Sequence, residues 1–140
     1  MLVGVGGVGE PIAKRIAAKH PCKLILVDPV DKSVLAENLQ EQSATEYHQS
    51  LGELGNIELP EDAIVINAAG KEGATDESGL DQFFESKAGQ SKVFVDIRPH
   101  LDIAVVERAK ELGWQAHTGL GMNARNDHAL VSRVINRFTV

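Results

Sequence analysis

The stretch Met1-Leu2-Val3-Gly4-Val5-Gly6-Gly7-Val8-Gly9-Glu10-Pro11-Ile12-Ala13-Lys14-Arg15-Ile16-Ala17 decides how this chain of 140 residues is read. Met1 to Val5 is apolar, ends in glycines and fits a strand. Helical spacing follows: Val8, Ile12 and Ile16 share one stripe, with Ala13 and Ala17 beside it. Pro11 falls in the first helical turn, where a missing N–H is tolerated. The next apolar run, Lys23 to Val27, is closed by Asp28, 19 residues after Gly9.

The same alternation continues along the chain. Ser33 to Gln42 reads as a helix, Thr45 to Gln49 as a weak edge strand, and Leu51 to Glu61 as loop because of its glycines and Pro60. Ala63 to Asn67 is another buried strand, followed by a loop over Gly70 to Asp76. Leu80, Phe83 and Phe84 mark a helix. Lys92 to Asp96 is a strand, and Val105, Ala109 and Leu112 mark a helix that stops at Gly113. Trp114 to His117 is a last short strand, and Leu130, Val134 and Phe138 form the stripe of a final helix. Short apolar strands alternating with amphipathic helices predict an α/β fold, a doubly wound parallel sheet covered on both faces. The length predicts one domain over residues 1–140, with about two-thirds of the unfolded surface buried.

In that context Gly4-x-Gly6-x-x-Gly9 acquires a chemical meaning. One glycine makes the tight turn, the next lets the backbone approach a pyrophosphate, and the third lets helix and strand pack closely. The helix N-terminus offers free N–H groups to phosphates. An acid about 20 residues on can accept hydrogen bonds from ribose hydroxyls. The pattern predicts a Rossmann-type dinucleotide-binding domain, with Gly4, Gly6, Gly7, Val8, Gly9 and Asp28 around the cofactor. Asp28-Pro29-Val30 carries no Arg to receive a 2′-phosphate, so NAD is expected in preference to NADP. Two residues run against the pyrophosphate reading: Glu10 brings negative charge to the turn, and Pro11 removes a donor.

Composition narrows the partners. The net charge of −6 argues against a nucleic-acid or anionic-membrane surface. The single cysteine, Cys22, rules out an intramolecular disulfide. No run of about eighteen apolar residues exists to span a membrane. The first charges follow the apolar N-terminal run rather than precede it, unlike a secretory signal. A cytoplasmic chain is the expectation. The histidines at positions 20, 48, 100, 117 and 128 show no metal-ligand spacing, so no metal is expected.

The second half carries a family resemblance. Val93-Phe94-Val95-Asp96-Ile97-Arg98-Pro99, then Ala109 and Gly113, then Gly119-Leu120-Gly121-Met122, resembles the NAD(P)-binding domain of shikimate and quinate dehydrogenases. Ile66-Asn67-Ala68 is similar to that family's Asn-Ala-Thr segment beside the nicotinamide. The resemblance implies hydride transfer between a ring carbinol and nicotinamide. It places Asn67, Ala68, Asp96, Gly119 and Met122 at the cofactor, and Asn126 where the family usually has a substrate-touching Gln. Arg98 and Arg125 are candidates to hold a carboxylate in the same crevice. In the family, the catalytic Lys–Asp pair comes from a substrate domain that precedes the nucleotide domain. That domain is absent from this chain, so no catalytic residue is assigned. The expected partners are a dinucleotide and either a substrate domain or a second copy of the chain.

Two alternatives stand beside this reading. One is a stand-alone NAD-sensing regulatory module without catalysis, similar in size to the nucleotide-binding gates of potassium channels but lacking their Gly-Asp-Ala-Thr segment. The other is an ATP-dependent adenylating domain of the ubiquitin-activating type. It is suggested by Asn38-Leu39-Gln40-Glu41-Gln42, although Glu41 stands where that family has an ATP-binding Arg.

Overall fold

Six parallel strands run in the order β3-β2-β1-β4-β5-β6, so the chain winds outward from β1 in one direction and then in the other. The computed structural model describes residues 1–19, 21, 23–54, 58–69, 77–88, 92–98 and 103–119. The strands are β1 Leu2–Val3, β2 Leu24–Val27, β3 Thr45–His48, β4 Ile64–Asn67, β5 Val93–Asp96 and β6 Gln115–Thr118. The helices are α1 Gly9–Ala17, α2 Ser33–Leu39, α3 Glu77–Ser86 and α4 Ile103–Glu111, with a 3-10 turn at Leu51–Leu54. This is the α/β, doubly wound, Rossmann-type fold that the alternation of strands and helices predicts. The helix expected over Leu130 to Phe138 lies outside the described residues. No helix among the described residues is long and apolar enough to cross a membrane.

Side-chain alternation along the strands divides the core in two. Leu2, Leu24, Leu26, Ile66, Val93 and Val95 face one side, where Ala13 and Ala17 of α1 and Ala36 and Leu39 of α2 cover them. Val3, Ile25, Val27, Val65, Phe94 and Ala116 face the other, under α3, α4 and the 3-10 turn. An aromatic group anchors that second layer: Phe84 stands edge-on to Phe94 at 4.7 Å and to Trp114 at 5.1 Å between ring centroids.

Several boundaries differ from the sequence reading, for local reasons. The first strand ends at Val3 rather than Val5, because Gly4 turns the chain at φ +83°. The second helix stops at Leu39 rather than Gln42. In α1 the stripe that meets the sheet is Gly9, Ala13 and Ala17, all buried, while Ile12 and Ile16 are half-buried at its margin and Val8 is exposed. Small residues at i, i+4 and i+8 let this helix sit close to the strands, so its larger apolar residues become a rim.

At the amino edge of the sheet, Lys92 is 1% exposed, and its Nζ donates to the carbonyls of Leu59 (2.9 Å) and Pro60 (2.7 Å). Nearby, the Met1 amine donates to the Ile64 carbonyl at 2.7 Å, and burial pushes its pKa down to about 5.

Candidate functional site

Strand order reverses between β1 and β4, and in such sheets ligands bind beyond the carboxyl ends at that point. The glycine turn leaves β1 there. Gly4 donates its N–H to the Val27 carbonyl at 2.8 Å and lies against Ala68 and Ala69, which follow β4. A Cβ on Gly4 would overlap the Ala69 backbone, and one on Gly9 would overlap the Gly4 carbonyl oxygen. Both glycines therefore have internal reasons: one a left-handed φ and a close approach, the other tight contact between helix start and strand end.

Gly6 and Gly7 differ. A Cβ on either would meet nothing within 4 Å, and neither has a positive φ. Their lack of a side chain is not required by packing against any described residue. The helix that follows has no side-chain cap. Glu10 donates its N–H back to the Gly6 carbonyl at 2.9 Å, but the N–H groups of Gly6, Gly7, Val8 and Gly9 have no acceptor among the described residues. Gly6, Gly7 and Val8 are exposed, and with the buried Gly9 they bring a row of donors to the positive end of a helix. The Glu10 carboxylate is turned away along the helix surface to Lys14 Nζ at 2.7 Å, which lowers its pKa. Pro11, the third residue of α1, lies beyond Gly6 to Gly9 and leaves the first helical turn one N–H short.

Asp28 stands beside this row and is 8% exposed. Its Oδ2 accepts the Val5 N–H at 2.6 Å, tying it to the glycine turn, and its Oδ1 accepts the Val30 N–H at 2.8 Å. No cation pairs with it among the described residues. Each carboxylate oxygen retains a lone pair for another donor. The loop after Asp28 is held from the edge strand. Tyr47 Oη lies 2.9 Å from the Asp28 carbonyl and 3.2 Å from that of Val30, and Gln49 Nε2 donates to the Pro29 carbonyl at 3.3 Å. Three apolar side chains stand exposed around this mouth: Val8 at 63%, Val30 at 64% and Val34 at 70%.

Across the switch point the polar groups are satisfied internally. Asn67 is fully buried. Its Nδ2 donates to Asp96 Oδ2 and its Oδ1 accepts the Ala69 N–H, each at 3.3 Å. Ala68 is half-buried, and its N–H donates to the Val3 carbonyl at 2.7 Å. Asp96, 1% exposed, accepts the Arg98 guanidinium through Nε and Nη2, the latter at 2.6 Å, and the Arg98 N–H at 3.0 Å. The carboxylate that Arg98 grips is thus the chain's own. Gly119 crosses close over β5: a Cβ there would lie 2.7 Å from Ile97 Cα. Met122, Arg125 and Asn126 lie outside the described residues.

The structure therefore brings Gly4, Gly6, Gly7, Val8, Gly9 and Asp28 to one mouth, with Asn67, Ala68, Asp96, Arg98 and Gly119 along the adjoining edge. Glu41 lies elsewhere, past the end of α2 and before β3, at the opposite edge of the sheet from the glycine turn. Sequence reasoning overlooked Tyr47 and Gln49. The only signal was an aromatic residue on an otherwise polar strand. Among the described residues, no group of three or more His, Cys, Asp or Glu could hold a metal ion. Comparison of the chain with family models, with curated proteins and with solved structures finds no match.

Proposed function

We propose that this chain binds a dinucleotide, NAD in preference to NADP, as the cofactor domain of a hydride-transfer enzyme of the shikimate/quinate dehydrogenase type. The observation that carries the proposal is the pair Gly6 and Gly7. Among the described residues they have no steric or conformational reason to be glycine, and they open onto N–H donors with no acceptor there. Backbone bared in this way suits the close approach of a pyrophosphate. Asp28, buried without a cation, would accept the ribose hydroxyls and repel a 2′-phosphate. Val30 and Val34, exposed on the segment after Asp28, would offer apolar cover to a flat base. Bound NAD would supply the hydride chemistry. This chain's own residues would hold and orient it.

Calorimetric titration of the 140-residue chain with NAD and with NADP tests this. NAD binding with NADP weaker by at least about tenfold is expected, a difference of about 1.4 kcal/mol. Equal affinity, or no binding of either, overturns the proposal. A second reading, a non-catalytic NAD sensor, is favoured by the Asn67–Asp96–Arg98 group. These side chains are bonded to one another, which suits a structural edge better than proton transfer. A turnover assay with shikimate and quinate, with and without an added substrate domain, separates the two.

A further inference from the structure

Resting on the NAD reading above, we propose that Tyr47 and Gln49 are positioning residues for cofactor selectivity: from the edge strand they hold the loop that aims the Asp28 carboxylate, without touching the ligand themselves. The geometry is specific. Tyr47 is in the edge strand β3, where it pairs in register with Leu26, and its phenol reaches past the end of β2. There it meets the carbonyls of Asp28 and Val30, and Gln49, just past the strand, takes the carbonyl between them. Three consecutive carbonyls of the Asp28-Pro29-Val30 loop are therefore engaged from one strand. The phenol has one proton, which the nearer Asp28 carbonyl at 2.9 Å receives, with Val30 at 3.2 Å sharing it. Burial and the negative charges of Asp31, Asp28 and Glu53 raise the Tyr47 pKa, which keeps that proton in place.

The opposite side of the same loop is fixed by the carboxylate itself. Asp28 accepts the Val5 and Val30 N–H groups, while Pro29 between them has a fixed φ. The acid is therefore aimed by two sets of bonds: its Oδ2 to the glycine turn and its Oδ1 to Val30, and its backbone to β3, where its own N–H also donates to the His48 carbonyl at 3.2 Å. Discrimination between a ribose diol and a 2′-phosphate depends on where that charge stands, because the effect falls with distance. Removing the Tyr47 and Gln49 bonds leaves the loop, among the described residues, held to β3 only by the Asp28 N–H at the His48 carbonyl, so the acid gains freedom to swing while every ligand contact stays chemically intact.

The test uses Tyr47→Phe, Gln49→Ala and the double variant, in the full chain. Each single change should weaken NAD by about fivefold, as the loss of one neutral hydrogen bond does, with NADP unchanged or slightly tighter. The NAD-to-NADP preference of the double variant should fall more than tenfold, with circular dichroism and melting still showing a folded domain. Amide exchange, read without ligand, should quicken at Val5 and Val30, the two N–H groups that the Asp28 carboxylate holds. If the wild type prefers NAD but the variants keep its ratio, or lose both cofactors equally, Tyr47 and Gln49 have no part in selectivity. Unchanged exchange at Val5 and Val30 says the same. A wild type that binds neither cofactor removes the NAD reading and this inference together.

Discussion

Asp28 and Asp96 close corresponding strands in the two halves of the sheet, Asp28 one residue further out in register, and are treated in opposite ways. Each stands at the carboxyl end of the strand one removed from the switch point, and each accepts the N–H of the residue two further on, Val30 or Arg98. From that common turn they diverge. Asp96 is closed by the Arg98 guanidinium and the Asn67 amide, whereas Asp28 meets only backbone N–H groups and no cation among the described residues. The neighbouring backbone diverges with them. Beside Asp28 a row of N–H groups has no acceptor among the described residues, and beside Asp96 the crossing Gly119 donates to the Asp96 carbonyl. One local motif thus ends in a closed side-chain network in one half and, among the described residues, in a carboxylate without a cation in the other.

Substitutions can break that contrast in order of severity. Gly9→Ala is the harshest, since its Cβ would overlap the Gly4 carbonyl oxygen. A loss on the order of 5 kcal/mol in urea unfolding is expected. The seam between the halves, where the Met1 amine meets β4, gives the next effect. With the folded pKa pushed from 8.0 to about 5, the unfolded chain binds the extra proton between those values. Stability should therefore rise from pH 5 to pH 8, by up to about 4 kcal/mol, and acetylating the amine should abolish that slope. Asp96→Ala removes the buried carboxylate that accepts from Arg98 and Asn67, and should cost about 3 kcal/mol while leaving the NAD-to-NADP ratio unchanged. Asp28→Ala should cost less, about 2 kcal/mol for the orphaned N–H groups, yet lose most of the discrimination. Gly6→Ala sharpens the comparison with Gly9. Stability should change by less than about 1 kcal/mol while NAD binding weakens at least about tenfold. Glu10→Gln comes last. Its exposed pair with Lys14 should leave both the melting temperature and NAD affinity nearly unchanged.

The parts of this molecule legible in the sequence are those encoded by local periodicity. Four of the six strands are apolar runs, β3 and β6 at the two edges being mixed, and the glycine turn with its acid has a spacing that few other structures require. Even the mixed β3 could be read as an edge, because TEYH suits a strand paired on one side only. What stayed hidden depends on distant partners. Nothing in Asn67 or Asp96 alone announces that they bond to each other across 29 positions. The helical stripe of α1 was misjudged because hydrophobicity favours Ile12 and Ile16, while the closeness of helix to sheet favours Gly9, Ala13 and Ala17. The direction of the Glu10 carboxylate, toward Lys14, likewise cannot be read from composition.

Lys92 gives the fold a built-in chemical clock. Its amine lies under the Leu59 and Pro60 carbonyls with almost no surface of its own, so an amine-reactive reagent reaches it only when that edge of the sheet opens. Surface lysines such as Lys14 and Lys23 will be modified at once. The slow labelling of Lys92, followed by peptide mass spectrometry, then reports how often the native chain lets go of its core.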